Sequence, residues 1–355
     1  MELPKSLTAE CGWLKAGTPS DERVVSSRIR LARNIEGIPF SQWASSTDLK
    51  RIAEIAQKAV SASSLLKSAD ILCIEDLDPV DRHFLAERYM ISRELAKSGI
   101  ERYVAIRPGQ TVSLMINEED HLRLQALMAG SNLRQVWELI NTVDDELEKH
   151  ITYAFSNTFG YLTACPTNVG TGIRCSVMVH LPALVISRRI EKVLGAVTQI
   201  GLTVRGLAGE GSEIAGNLFQ LSNQWTLGIS EQDTIAKIEK ILQQILEQER
   251  RAQDQLMEEN RRAIEDRVWR AYATLRYAQV MSSNEAIELL SSIRLGRTVG
   301  ILEKPSYESI NAMLISVRPA HLQKLAGKAL TPPERDEWRA ELIRHWIHNG
   351  DSALT

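Results

Sequence analysis

Arg28 and Arg30 stand two apart in Val24 to Arg30, a stretch whose alternation predicts a β-strand. On that reading Ser26, Arg28 and Arg30 share one face, and Val25, Ser27 and Ile29 share the other. Arg174 and Arg205 sit at the ends of two further strand patterns, Arg174 to Leu181 and Leu202 to Arg205, each beside a glycine-rich turn. A lone arginine on a strand is ordinarily a surface residue with its stem packed and its head in water. Two planar, permanently charged forks aimed the same way from one rigid strand are suited to gripping phosphate oxygens bidentately. Phosphoryl transfer asks the protein mainly for positioning and for positive charge around the transferring group. No Gly-x-x-x-x-Gly-Lys-Ser/Thr loop, no His-Arg-Asp and no Asp-Phe-Gly occurs, which leaves an arginine cluster as the way to hold ATP.

The carboxylates come next. Thr111 to Ile116 reads as a strand, and Asn117-Glu-Glu-Asp120 ends it; Glu210 lies in the run Arg205-Gly-Leu-Ala-Gly-Glu210. Three adjacent acids are costly unless a cation sits among them. An exposed acidic turn is the ordinary reading; a cradle for a cationic guanidinium is the sharper one. Two fixed carboxylates orient a guanidinium fork, and one accepts a proton as nitrogen attacks phosphorus. Cys165 precedes Pro166 in a polar loop that runs through Thr167, Asn168, Gly170, Thr171 and Gly172 to Arg174. A lone cysteine is most often a small buried hydrophobe; as a thiolate in this loop it adds a third anion beside a guanidinium.

These pieces need a scaffold. The 355 residues are 44% hydrophobic and 25% charged, a globular composition long enough for two domains. A net charge of −3 offers no case for nucleic acid or membrane as the main partner. The four cysteines, Cys11, Cys73, Cys165 and Cys175, show no paired spacing, and Met1 to Ser20 has no apolar signal-peptide core, so a reducing cytoplasm is expected. Between Gly228 and Gly296 there is neither glycine nor proline, while Ile235, Ile238, Ile241, Leu242, Ile245, Leu246, Leu256 and Ile264 recur at helical spacing. One or two long amphipathic helices are expected there, with more helix over Asn284 to Ile293, Ser306 to Ile315 and Pro333 to Trp346. The expected organisation is α+β: a catalytic domain over 1–231, then an all-α domain over 232–355. The charge run from Gln248 to Arg270 reads first as a solvated helix face laced with i,i+4 pairs, and second as a docking surface.

Taken together, Ser26-Ser-Arg-Ile-Arg30, Asn117-Glu-Glu-Asp-His-Leu-Arg123, Cys165-Pro-Thr-Asn-Val-Gly-Thr-Gly-Ile-Arg174 and Arg205-Gly-Leu-Ala-Gly-Glu210 resemble, in order and spacing, the signature blocks of the phosphagen (guanidino) kinase family. The resemblance spans roughly Glu22 to Glu231 and implies a mainly antiparallel sheet flanked by helices. It implies ATP and Mg2+, the ion being held by phosphates and water rather than by a protein metal site. By the same resemblance Ser27, Arg28, Arg30, Arg123, Arg174 and Arg205 belong with the nucleotide phosphates, and His83 lies beside the nucleotide. Glu119 and Glu210 hold the guanidinium, Glu119 acting as base, and Cys165 lies near the substrate nitrogen.

Two departures shape the expected acceptor. Small-molecule members carry a helical domain before this one, whose loop closes over a free guanidino compound, whereas here the arginine strand begins about two dozen residues in. Position 211 is Gly where many members have His. An open acceptor site is the expectation, and with it resemblance to the bacterial protein arginine kinases. Arg335-Asp-Glu-Trp-Arg-Ala340 matches a motif of that branch, which implies a phosphoarginine-sensing site at Arg335, Asp336 and Arg339. The resemblance further implies protein substrates including the heat-shock repressor, a zinc-binding activator protein, a Clp-type AAA+ protease that degrades the marked proteins, and a homodimer. Two alternatives stand beside this: a kinase of free arginine or another small guanidine, and a phosphoarginine-binding adaptor with an inactive kinase site.

Overall fold

The computed structural model describes residues 3–8, 11–15, 22–97, 99–206 and 215–349. Its strands are β1 (Val24–Arg33), β2 (Asp70–Cys73), β3 (Tyr103–Ile106), β4 (Val112–Ile116), β5 (Leu122–Ala129), β6 (Phe155–Ser156), β7 (Gly160–Tyr161), β8 (Ile173–His180), β9 (Leu202–Gly206) and β10 (Leu218–Asn223). The chain forms two compact units that alternate along the sequence. The first takes Met1–Gly17, Ser26–Ser176 and Ser222–Ile238; the second takes Thr18–Val25, Val177–Leu221 and Glu239–Thr355.

In the first unit the strands lie in the order β2-β3-β4-β5-β1-β8-β10. The pairs β1–β5, β2–β3, β3–β4 and β4–β5 are antiparallel. The two sides of β1 divide the labour. Ile29 and Leu31 are fully buried, and Arg33, on their side, reaches Asp144 of the helix Leu133–Glu148, which therefore covers that face. That helix buries Val136, Ile140, Val143 and Leu147 at helical spacing. Arg28 and Arg30 lie on the other side. The helix Ser46–Ala62 opens with Ser45 and Asp48 capping each other's backbone N–H groups.

In the second unit the remaining lengths of these strands run in the order β8-β10-β9, with β10 in the middle. The expected long helix is Glu231–Tyr277, with a non-helical break at Asn260; it belongs to this unit from Glu239 onward, and Ser283–Thr298, Tyr307–Ser316, Pro319–Ala326 and Pro332–Asn349 follow it. Their buried faces meet in a core built on Val268, Leu275, Leu290, Ile293, Ile310, Met313, Ile343 and Trp346. The run from 248 to 270 carries the helical ion pairs Arg261–Glu265 and Arg270–Asp266, and its Arg251 pairs with Glu247 just before it. Among the described residues no helix is long and apolar enough to cross a membrane.

Candidate active site

Register decides which side chains meet. β1 pairs with β5 so that Arg28 faces Leu127, Arg30 faces Gln125 and Ala32 faces Arg123. Cross-strand partners project to the same side of a sheet, so Arg123 joins Arg28 and Arg30. On β8, the Ser176 hydroxyl lies 3.5 Å from Arg28 Nε, and Arg174 Nη2 donates to Ser222 Oγ at 3.2 Å. Four arginines thus converge from three adjacent strands.

The convergence costs electrostatic energy. Loss of water, then the charges of Arg123 and Arg174, push the Arg28 guanidinium down to about 10, although Tyr89 opposes the shift. Burial and the neighbouring arginines lower Arg30 as well. Arg30 Nε is buried without a hydrogen-bond partner. A polyanion placed among these groups removes the repulsion and fills the vacant donor, which is the physical fit to a triphosphate.

The three acids of the β4–β5 turn have separate employments. Asn117 takes a left-handed φ of 58° and anchors the turn by donating from Nδ2 to the Leu49 and Glu101 carbonyls. Glu118 is buried and ion-paired to Arg123 at 2.6 Å. Burial pushes its carboxyl up, but Arg123, the Ser92 hydroxyl and the Glu119 N–H outweigh that and hold it below the usual range. Asp120 is also buried, where it accepts from Asn34 Nδ2 and from the Ala164 N–H, both at 2.7 Å. Glu119 is half-buried, and its carboxylate has neither hydrogen bond nor ion pair among the described residues. Burial first, and the neighbouring Asp120 second, raise its pKa, while Arg123 and Arg174 pull the other way. It is the one acid of the three left for other work.

The Cys165 loop is tied to both groups. Asp120 holds Ala164, so the turn bearing Glu119 is joined to the residue before Cys165. Cys165 is partly exposed, with Sγ 3.0 Å from Thr167 Oγ1, and precedes the short turn Pro166–Asn168. At Gly170 (φ 111°) a Cβ would lie 2.4 Å from the Thr226 carbonyl oxygen, and at Gly172 (φ 65°) one would lie 2.6 Å from that of Ala32. Only glycine permits this approach of backbone to backbone. The Asn223 side chain extends the pairing, accepting from Cys175 N–H at 2.7 Å and donating to the Ile173 carbonyl at 3.0 Å.

Not every expected residue joins this face. Ser27 points to the other side of β1, where its hydroxyl donates to the Gly130 carbonyl and accepts from the Asn132 N–H. His83 is exposed on the helix Pro79–Glu87, its Nδ1 2.6 Å from the Pro79 carbonyl oxygen. Arg205 is on β9, in the second unit. Glu210 and Gly211 lie outside the described residues. In the second unit, Arg339 is buried and donates to the Val317 and Met281 carbonyls at 2.8 and 2.7 Å and to Asp336 Oδ1 at 2.5 Å. Arg335 donates to the Leu330 carbonyl and, like Asp336, is only half-buried. Among the described residues no three His, Cys, Asp or Glu side chains cluster as metal ligands.

Arg33 was not legible as part of this site. It is nearly inaccessible, ion-paired to Asp144 at 2.6 Å, stacked 3.6 Å from the Tyr161 ring centroid, and donates to the Thr171 carbonyl at 3.0 Å. The one available signal was its phase: it falls on the apolar face of β1, where a charge requires a buried partner.

Comparison with known proteins gives the family. Residues 51–252 match the ATP:guanido phosphotransferase C-terminal catalytic domain, and residues 261–353 match the protein-arginine kinase McsB C-terminal domain. The protein-arginine kinase of Pelotomaculum thermopropionicum is 44% identical over 96% of this chain and 97% of its own length. That of Halothermothrix orenii is 46% identical over 94% and 95%. Among solved structures, a lombricine kinase superposes with a TM-score of 0.59 at 24% identity, over 66% of this chain and 68% of its own, a likeness of fold. Identity at this level across nearly the whole of both sequences shows that the chain belongs to the protein-arginine kinases, within the ATP:guanido phosphotransferase family.

Proposed function

We propose that this protein transfers the γ-phosphoryl group of ATP to the guanidinium of arginine residues in proteins. Glu119 carries the reading: an unengaged carboxylate of raised pKa within electrostatic reach of Arg123 and Arg174. In the proposed reaction Arg28, Arg30, Arg123, Arg174 and Arg205 hold the phosphates, with Mg2+ arriving on the nucleotide. Glu119 and Glu210 orient the acceptor guanidinium. Glu119 takes a proton from the attacking nitrogen, whose lone pair forms the N–P bond as the bond from phosphorus to the ADP oxygen breaks. Cys165 assists beside the substrate nitrogen and His83 supports the nucleotide end, while Ser27 acts only from behind β1, through its bonds to Gly130 and Asn132. Residues 1–231 form the catalytic domain and 232–355 the helical domain.

Arg335, Asp336 and Arg339 form a phosphoarginine-sensing site, in which Arg339 holds Asp336 and Arg335 and Asp336 meet the ligand. The wider setting proposed is cytoplasmic: a homodimer, stimulated by a zinc-binding activator protein, marks proteins, the heat-shock repressor among them, for a Clp-type protease. Incubation with Mg-ATP and either an unfolded protein or free arginine tests the acceptor. Acid-labile phosphate on the protein is expected, and label on free arginine alone overturns the reading. Arg335→Ala is expected to weaken phosphoarginine binding and leave Mg-ATP binding intact; unchanged affinity in a titration removes the sensing site.

A further inference from the structure

We propose that a shallow apolar pocket behind the Cys165 loop receives the side chain next to the acceptor arginine, so that the enzyme favours arginines flanked by large apolar residues. The inference rests on the protein-acceptor reading above and adds a selectivity to it.

The pocket, about 320 Å³, lies between the hairpin β6–β7 and the segment after β10, and Phe155, Phe159, Tyr161, Gly170, Leu227 and Glu231 line it. Its rim is unusually apolar for exposed surface. Phe155, Phe159 and Leu227 are 56%, 54% and 55% exposed, close together on one patch. Hairpin tips and loops are ordinarily polar, so an apolar cluster at this place stands out.

The pocket borders the loop that carries Cys165. Gly170 and Thr171 line the pocket and belong to that loop. The Tyr161 N–H donates to the Gly170 carbonyl at 2.8 Å, and Thr226 Oγ1 donates to the Val169 carbonyl at 2.7 Å. A Cβ on Gly160 would lie 2.5 Å from the Gly170 oxygen, so at this point of the wall two backbones are in contact. That part of the wall is fixed before a ligand enters, which limits the entropy cost of filling the pocket. Charge points to the same occupant. Glu231 lies at the rim and gives a negative edge that complements a segment bearing arginine.

The test uses the full chain, Mg-ATP and two otherwise identical peptides, one with leucine and one with glycine beside a single arginine. The expected kcat/KM ratio favours leucine by about tenfold, the worth of burying part of one such side chain. In a Phe159→Ser, Leu227→Ser double variant the ratio falls to near one, with kcat/KM for the glycine peptide and Mg-ATP affinity unchanged. Phe155 is left in place because its ring stacks edge-on against Tyr161 at 5.2 Å. Equal rates on both peptides with the native enzyme overturn the pocket's role and leave the protein-acceptor reading intact. A ratio that survives in the double variant also overturns it. So does an equal loss on both peptides accompanied by a change of mass in solution, which would make the patch a contact between copies. Phosphorylation of free arginine with neither peptide modified removes the acceptor reading beneath it.

Discussion

Asp144→Ala leaves the Arg33 guanidinium buried with its ion partner gone. Arg33 donates from both Nε and Nη2 to one Asp144 oxygen, at 3.0 and 2.6 Å, while Tyr153 donates to the other at 3.0 Å. Both charged side chains are under a tenth exposed, so solvent does not screen the pair. Removing one partner of such a pair costs about 3–5 kcal/mol, mostly the price of an uncompensated charge. For a unit of this size that corresponds to a fall in Tm of about 6–20 °C. Replacing both groups, as Arg33→Met with Asp144→Leu, is expected to recover most of the loss, because a packed apolar pair removes the orphaned charge. Thermal unfolding followed by circular dichroism reads both numbers. The double variant should still lose activity, since Arg33 also holds the Thr171 carbonyl and with it the loop of Cys165. A fall below about 2 °C for Asp144→Ala, or full activity in the double variant, refutes the reasoning.

Three further outcomes follow from the same geometry. Arg30→Met relieves repulsion within the arginine cluster, so the nucleotide-free protein is expected to melt higher while the stabilisation by Mg-ATP shrinks; a lower melting temperature without nucleotide contradicts this. Glu119→Gln is expected to lower kcat by about 10²–10⁴-fold with Mg-ATP affinity kept. Because the Glu119 pKa is raised and the base acts deprotonated, native activity should fall on acidification from a pH above the ordinary carboxylate range, a limb absent from the residual activity of the variant. Glu249, fully buried and bonded to the Ala183 and Leu184 N–H groups, is pushed up to about 7, mainly by burial. The folded state then binds the proton more tightly than the unfolded one, so this contribution is complete below about pH 4.5 and is lost as pH rises through about 7. Its size is about 3 kcal/mol, and Glu249→Gln should flatten that slope in unfolding measured across the window.

Much of the scaffold was legible locally. Period-two alternation placed β1, β4, β8 and β9, and the absence of glycine and proline after Gly228 announced the long helices, because both signals depend only on near neighbours. The break at Asn260 left no such trace. Residue type and order also carried the expected chemistry: paired arginines suit a phosphate, and a run of acids with a cysteine in a glycine-rich loop suits a guanidinium. What only the tertiary structure decided is which of like residues does what. Glu118, Glu119 and Asp120 are adjacent and equally acidic, yet Arg123 takes the first and the Ala164 N–H the last, leaving Glu119 unengaged. Arg33 and Arg30 differ in sequence only by phase, and the pairing of β1 with β5 and the helix Leu133–Glu148 sends one to a buried aspartate and the other to the arginine cluster. The reason is physical: composition sets which charges exist, but a charge's role depends on its partners, and those come from strands and helices far away in the chain.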